Sequence, residues 1–296
     1  MLPKYVVVSN PNSKFNQNGL IDWVNDKFNG ATHFVKSLEE YPRMIEDIVR
    51  EKADAVIVSS GDGGIHKFLT SAQEAWEELP PLIFPPSGTF NLQAGVLGHR
   101  GVISKPRRIL KKVLKLDEIE TKEQNWITID DGKETKVGFC LANGIVANFF
   151  EVYNQNSGVY NGMKLMAKYI RSFLLRDQYK EDYEQIFREY DMKFTIDDKV
   201  IEGSYHAFAS HCSNLGVAGL KLPYQGNLQL SATTFTKETM IENLARVFTR
   251  RPLTGEVEKS GQRAIIENCG RYIIDGDSYE ADRIELGLKP LEVVVL

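Results

Sequence analysis

Three short turns in the first third of the chain carry the residue types that hold phosphate. Asn10-Pro11-Asn12-Ser13 follows the apolar run Tyr5 to Ser9, Ser60-Gly61-Asp62-Gly63-Gly64 follows Asp54 to Ser60, and Pro86-Ser87-Gly88-Thr89-Phe90-Asn91 follows Leu82 to Phe84. Each offers backbone N–H groups beside a helix start, where aligned peptide dipoles favour an anion. Two such turns on neighbouring strands could hold one polyphosphate between them, with the third on the same sheet edge. Spacing alone does not separate this arrangement from three unrelated turns. Other chemistries find less support. There is no G-x-x-x-x-G-K-[ST] and no G-x-G-x-x-G, so neither the P-loop nor the dinucleotide fingerprint applies. No G-x-S-x-G elbow supports a serine hydrolase. His66, His206 and His211 show no His-Glu or His-x-x-x-His spacing for zinc, and His66, two residues past Gly64, reads as an ordinary helix histidine.

The elements that would position these turns alternate in type. Tyr5 to Ser9, Thr32 to Val35, Asp54 to Ser60 and Leu82 to Phe84 read as buried strands. Leu20 to Phe28, Tyr41 to Glu51 and Ile65 to Glu78 read as helices, the last stopped by Pro80 and Pro81. This rhythm predicts βαβ units and a parallel sheet, whose ligands bind at the carboxyl ends of the strands. From about Lys122 the pattern changes to antiparallel strands at Trp126 to Ile129, Lys136 to Leu141, Met192 to Ile196 and Lys199 to Ser204, with Asp131-Gly132 and Asp197-Asp198 as hairpin turns. Further strands are expected at Tyr205 to Ser210, Asn227 to Thr234, Arg263 to Glu267, Tyr272 to Ile274 and Leu291 to Leu296. The division this predicts is an α/β domain over 1–122, completed by 285–296, and a mainly antiparallel second domain over 123–284, with a helical insertion at 158–176.

Composition sets the outer limits. The 296 residues carry 36 Lys+Arg against 40 Asp+Glu, a net charge of -4, which removes the broad basic surface a nucleic-acid binder needs. Nucleic acid is excluded as a partner. Cys140, Cys212 and Cys269 have no pairing or metal-ligand spacing and fit a reducing cytoplasm. The N-terminal apolar run is too short for a signal peptide, and no window approaches the roughly 20 apolar residues of a spanning helix. No stable protein partner can be inferred, and a homodimer stays open.

Ser60 to Gly64 resembles the GGDGT or SGDG signature of the diacylglycerol kinase and sphingosine kinase catalytic domain, in its bacterial form. Pro86 to Asn91 is similar to that family's P-x-G-T-x-N segment, Asn10-Pro11 to its first-strand N-P, and Ile274-Asp275-Gly276-Asp277 to its D-G-E. The four blocks occur in the family's order, and Gly138 to Phe150 matches its glycine-bearing strand. The resemblance implies an ATP-dependent lipid kinase: a nucleotide-binding α/β domain, a β-sandwich that holds the lipid, and an active site in the cleft between them. Its chemistry needs donors around the phosphates, Mg²⁺, and a carboxylate for the attacking hydroxyl. It makes Asp62 and Asp277 the catalytic and metal-binding carboxylates. Asn10, Ser13, Ser60, Gly61, Gly63, Gly64, Ser87, Gly88, Thr89 and Asn91 would surround ATP.

Several positions depart from the pattern. Gly64 stands where the signature often has Thr, Leu92 where the family has Asp, and Gln225 where many bacterial members have Asp beside a structural metal. Asp277 replaces Glu, one methylene shorter. In the sphingosine kinase branch an Asp that recognises the lipid amine falls at what is here Asn148, and a neutral amide cannot neutralise an ammonium. The expected acceptor is therefore diacylglycerol or a related neutral lipid. The alternatives are a non-catalytic lipid- or nucleotide-binding relative, a sphingoid-base or ceramide kinase, and an NAD kinase.

The stretch Gly158 to Arg176 places Val159, Met163, Met166, Ile170 and Phe173 on one helical face, with Lys164, Lys168, Arg171 and Arg176 elsewhere. With Asn148, residues Met163, Met166 and Ile170 are the candidate lipid contacts, in competition with plain packing on the sheet. Lys105, Arg107, Arg108, Lys111, Lys112 and Lys115 form a second basic run. Both runs are candidates for peripheral contact with an anionic membrane surface.

Overall fold

The computed structural model describes residues 3–13, 16, 20–28, 32–34, 37–88, 92–97, 106–155, 159–213, 216–217, 220–221, 227–234, 236, 239, 242–243, 246 and 257–296. The first half contains β1 (Tyr5–Ser9), α1 (Leu20–Lys27), β2 (Thr32–Phe34), α2 (Tyr41–Glu51), β3 (Ala55–Ser59), α3 (Asp62–Ser71), β4 (Leu82–Ile83), α4 (Leu92–Val96) and α5 (Pro106–Val113). β1 pairs in parallel with β2 and β3, and β3 with β4. Strand alternation sorts the buried side chains onto two faces. Val6, Val8, Val56 and Val58 meet Met44, Ile45 and Ile48 of α2 and Ile65, Phe68 and Leu69 of α3. Tyr5, Val7, Ala55, Ile57 and Ile83 meet Val24 of α1 and Leu110 and Val113 of α5. Both faces are covered, as a parallel sheet built by helical crossovers requires.

The second half is β5 (Thr121–Asp130), β6 (Thr135–Gly138), β7 (Cys140–Asn143), α6 (Ile145–Gln155), α7 (Val159–Leu174), α8 (Lys180–Ile186), β8 (Tyr190–Ile196), β9 (Lys199–Tyr205), β10 (Ala207–His211), β11 (Gly216–Val217), β12 (Leu220–Lys221), β13 (Leu228–Thr233), β14 (Val257–Gly261), β15 (Ala264–Ile274) and β16 (Asp277–Val294). β8 and β9 close on Asp197 and Asp198, both at positive φ, the expected two-residue hairpin. β16 joins the halves. Its first residues pair with β15, its last with β5, and Val293 pairs in parallel with Leu82 of β4. Among the described residues, parallel and antiparallel strands thus form one fourteen-stranded hydrogen-bonded network, a mixed α/β fold.

The structure corrects several sequence expectations. The helix expected from Ile65 to Glu78 begins three residues earlier at Asp62 and ends at Ser71, with a separate 3-10 turn at Trp76–Glu78. The strands expected at Arg263 to Glu267 and Tyr272 to Ile274 are one strand, β15, whose register shifts between Glu267 and Gly270 at a bulge. Gly138 to Phe150 is not one strand: it passes from β6 through β7 into α6. The break falls at Gly144, which has φ +64 and whose Cβ would run into the His206 carbonyl. That carbonyl accepts a hydrogen bond from Ile145 N–H at 3.0 Å, which fixes the helix start.

Candidate active site

Three loops at the carboxyl ends of β1, β3 and β4 are tied together beneath the sheet edge. Asn10 N–H donates to the Ser59 carbonyl at 3.1 Å. Asn16, almost wholly buried, donates from Nδ2 to the carbonyls of Asn10 and Ser59, each at 2.7 Å, and accepts from Ser59 Oγ at 2.9 Å. Ser59 Oγ is also 2.8 Å from Ser87 Oγ, and Ser13 Oγ donates to the Ser87 carbonyl. The expected residues Asn10, Ser13, Ser60, Gly61, Ser87 and Gly88 therefore share one edge. Asn16 was not singled out from the sequence, and no motif marks it.

The head of α3 faces this edge. Gly61 is its N-cap and Asp62 its first residue, so the carboxylate sits where the helix dipole favours negative charge. A Cβ on Gly61 would lie 3.3 Å from Gly88 Cα, so the two turns approach at glycine distance. A Cβ on Gly64 would fall on Ser60 Oγ, so any side chain there, Thr included, requires Ser60 to move.

The second half of the chain supplies the opposite wall. Ile274 pairs with Asp277 across a two-residue loop, Asp275-Gly276, with φ of +50 and +102. Positive φ at both central residues is the type I′ pattern favoured by Asp-Gly. This hairpin delivers two carboxyls. Asp275 is buried and accepts from the N–H groups of Phe139 at 2.9 Å and Cys140 at 3.0 Å and from Gln93 Nε2 at 3.2 Å. The backbone N–H of Gln93 donates to Asp62 Oδ1 at 3.3 Å. Burial, aided by the neighbouring Asp62 charge, pushes the Asp275 carboxyl up to about 8 despite these donors. Asp277 pairs with Lys67 of α3 at 3.2 Å, while its Oδ2 is buried without a hydrogen-bond partner and lies 2.9 Å from where a Gly63 Cβ would stand.

His66, on the same helix, is buried and bridges to the second half. Its Nδ1 lies 2.6 Å from the Val137 carbonyl and its Nε2 2.6 Å from Tyr279 Oη. A carbonyl only accepts, so Nδ1 carries the proton and Nε2 accepts from the tyrosine. Burial lowers the His66 pKa and keeps the ring neutral. α3 is thereby fixed to β16 at two points, Lys67–Asp277 and His66–Tyr279.

Residues 4–122, which contain all three loops and Asp62, match the diacylglycerol kinase catalytic domain. These residues carry a domain of the diacylglycerol kinase catalytic family. No curated protein matches the chain in sequence. Among solved structures, a diacylglycerol kinase from Bacillus anthracis str. Sterne is similar over 99% of this chain and 97% of its own, with TM-score 0.66 at 13% identity. Two further structures from that organism, provisionally assigned the same activity, give TM-scores of 0.68 at 12% and 16% identity over the same shares. At such identities the likeness is one of fold.

In this diacylglycerol kinase-like chain the other expected site residues are dispersed. Thr89, Asn91 and Gln225 lie outside the described residues, as do the side chains of Met163 and Met166. Asn148 is buried on α6, donating from Nδ2 to the Ile186 carbonyl at 3.0 Å and accepting at Oδ1 from Tyr190 Oη at 3.1 Å. Ile170 is half-buried on α7, and Tyr169 and Phe173 of that helix pack with Val152, Ile186 and Phe187. The basic flank of α7 has local partners: Lys168 pairs with Asp182 at 2.7 Å and Arg171 stacks on Tyr179. With Asn16, Gln93 and Asp275 are site residues that sequence reasoning left out.

Proposed function

We propose that the chain is a lipid kinase that moves the γ-phosphoryl group of ATP to a lipid hydroxyl, that of diacylglycerol or a related neutral lipid. The observation that carries this reading is the meeting of Asp62, Asp275 and Asp277 at the head of α3, facing three loops tied through Ser59, Asn16 and Ser87. The glycine approach of Gly61 to Gly88 and the N-terminus of α3 suit a polyphosphate. The oxygen donors suit Mg²⁺. No group of three His, Cys, Asp or Glu side chains among the described residues is arranged to hold a metal alone, and Mg²⁺ commonly takes one or two carboxylates and completes its shell with phosphate and water. Asp62 and Asp277, whose Oδ2 is unpartnered, would hold it, and when bound it neutralises charge on the transferring group.

In this reading the acceptor oxygen attacks the γ-phosphorus, the bond to the β-phosphate oxygen breaks, and the hydroxyl proton passes to the Asp62 carboxylate. The Asn148 amide, neutral and already bonded at both ends, supports an uncharged acceptor over a sphingoid amine. Among the described residues no helix is long and apolar enough to cross a membrane. The exposed flank of α5, with Arg107, Arg108, Lys111 and Lys112, is the surface we assign to anionic lipid, its buried flank being Ile109, Leu110 and Val113.

The test is labelled ATP with Mg²⁺ and a panel of diacylglycerol, monoacylglycerol, ceramide, sphingosine and NAD. Label in diacylglycerol that is lost in Asp62→Asn supports the proposal. ATP binding without transfer to any acceptor overturns it in favour of a binding protein.

A further inference from the structure

The antiparallel strands place a row of polar side chains on one face of the sheet. Gln229 of β13 lies opposite His211 of β10, and His211 lies opposite Cys140 of β7. Asp275 continues the row, its backbone N–H donating to the Cys140 carbonyl at 3.1 Å and its Oδ1 accepting from Cys140 N–H at 3.0 Å. Directly opposed residues share a face and stand about 5 Å apart at Cβ. The intervening residues, Phe139, Leu141, Phe208, Leu228 and Leu230, turn to the other face and enter the main apolar core. The polar row is therefore not a general property of these strands. The next row on its face is small, Ser231 opposite Ala209 and Ala209 opposite Ala142.

Two side chains in these rows lack partners. Gln229 is fully buried, yet neither its Oε1 nor its Nε2 is hydrogen-bonded, and Ser231 Oγ is likewise unsatisfied. Buried amides are almost always paired, so an unpaired one calls for a missing partner. Towards the first half of the chain the row ends at Cys140 and Asp275. Cys140 is half-buried between fully buried Phe139 and Leu141, and it is the member bonded to Asp275, beside Gln93 and Asp62.

We propose that Gln229 and Ser231 form a subsite for an uncharged, hydroxyl-bearing part of the phosphoryl acceptor. This rests on the lipid-kinase reading and extends it. A primary amide and a serine hydroxyl each donate and accept, which is the complement of a hydroxyl or ester group. His211 donates from Nδ1 to the Ser213 carbonyl at 2.7 Å, leaving Nε2 as an acceptor on the row. Neither row contains Lys or Arg, so a second phosphate would not be held. The carboxylate on this face beside Gln229 and Ser231 is Glu258 of β14, opposite Ser231 on the side away from Asp275.

The experiment measures binding of dioctanoylglycerol to the purified full-length chain and to Gln229→Leu and Ser231→Ala, with thermal melting of each ligand-free protein. We expect binding by the wild type, about tenfold weaker binding by Gln229→Leu, which is about 1.4 kcal/mol, and a smaller loss for Ser231→Ala. Because the amide has no partner to lose, ligand-free Gln229→Leu should melt no lower than the wild type. Equal affinities, no binding by the wild type, tighter binding of sphingosine than of dioctanoylglycerol, or a lower melting temperature for Gln229→Leu would each overturn the subsite. Binding that is sensitive to Gln229 without phosphoryl transfer would leave the subsite standing and remove the kinase. Transfer with unchanged binding by Gln229→Leu would do the reverse.

Discussion

Gln93 Nε2 donates to Asp275 Oδ2 at 3.2 Å, linking residues 182 positions apart. Because the Gln93 backbone N–H also donates to Asp62, one residue joins a carboxylate from the first half of the chain to one from the last hairpin. Two buried carboxyls near each other cannot both ionise freely. The arrangement holds Asp62 at the helix head, where the dipole favours charge, and leaves Asp275 as the group that keeps its proton.

This gives stability a specific pH dependence. Asp275 has its pKa raised from 3.8 to about 8. Below about pH 4 both folded and unfolded states hold this proton. Between about 4 and 8 only the folded state does, so this group's contribution falls as pH rises and then levels off above 8. Asp131 acts in the opposite sense: burial raises its pKa, but Lys136 and the N–H groups of Glu134 and Lys133 outweigh that and hold it at about 2, so its stabilisation is lost as pH falls from 4 to 2. Urea midpoints of wild type and Asp275→Asn from pH 4 to 9 separate the two. The difference between the proteins should be largest at acid pH and shrink through pH 8. A difference independent of pH would show that Asp275 is ionised throughout.

Asp62→Asn keeps the side-chain volume and an oxygen for the Gln93 N–H. Its melting temperature should stay within a few degrees of wild type and its ATP affinity within a few-fold, while kcat for lipid phosphorylation falls by about 100-fold or more. A variant that loses ATP binding and kcat together would place Asp62 in nucleotide retention.

Where local pattern decides structure, the sequence was sufficient. β1 and α2 lie where strand-like and helical periodicity put them, and Asp197-Asp198 turns β8 into β9. The long strands were harder. β16 contains Gly287 and Pro290, which weaken a strand pattern, yet Leu291 and Val293 on one end and Ile284 and Leu286 on the other are buried by β5, β4 and β15 together. Long-range pairing overrides local propensity there. The loops carrying Ser13, Gly61 and Gly88 were visible as glycine and asparagine turns. Asn16 and Gln93 were not, since each acts through hydrogen bonds to residues far away in sequence. Asp275 was within reach: Asp-Gly directly after the apolar run Tyr272 to Ile274 is a hairpin signal, and it would have identified both carboxyls of the turn.

Gly144 makes the turn from β7 into α6 with φ +64. Gly144→Ala must adopt that conformation and also displace the His206 carbonyl that accepts from Ile145 N–H. The expected loss is about 3 kcal/mol or more, combining backbone strain with the displaced helix start. Equilibrium urea unfolding measures it, and a loss under about 1 kcal/mol would mean that β7 and α6 can re-register without cost.

The His66–Tyr279 hydrogen bond couples the helix that begins at Asp62 to the strand that begins at Asp277. Folded His66 is neutral because burial lowers its pKa below the ordinary 6.5. The unfolded chain takes up the proton first as pH falls, so this residue's contribution is full above pH 6.5 and declines below it. Tyr279→Phe removes the donor to Nε2, and a buried acceptor left unpaired costs about 1–3 kcal/mol at pH 7.5. His66→Phe should abolish the part of the acid destabilisation that arises below pH 6.5. Since Asp277 lies two residues before Tyr279 on the same face of β16 and pairs with Lys67, one position after His66, loosening this contact should also lower kcat while leaving KM for ATP near wild type. Tyr279→Phe with reduced stability but unchanged kcat would confine the pair to holding α3 in place.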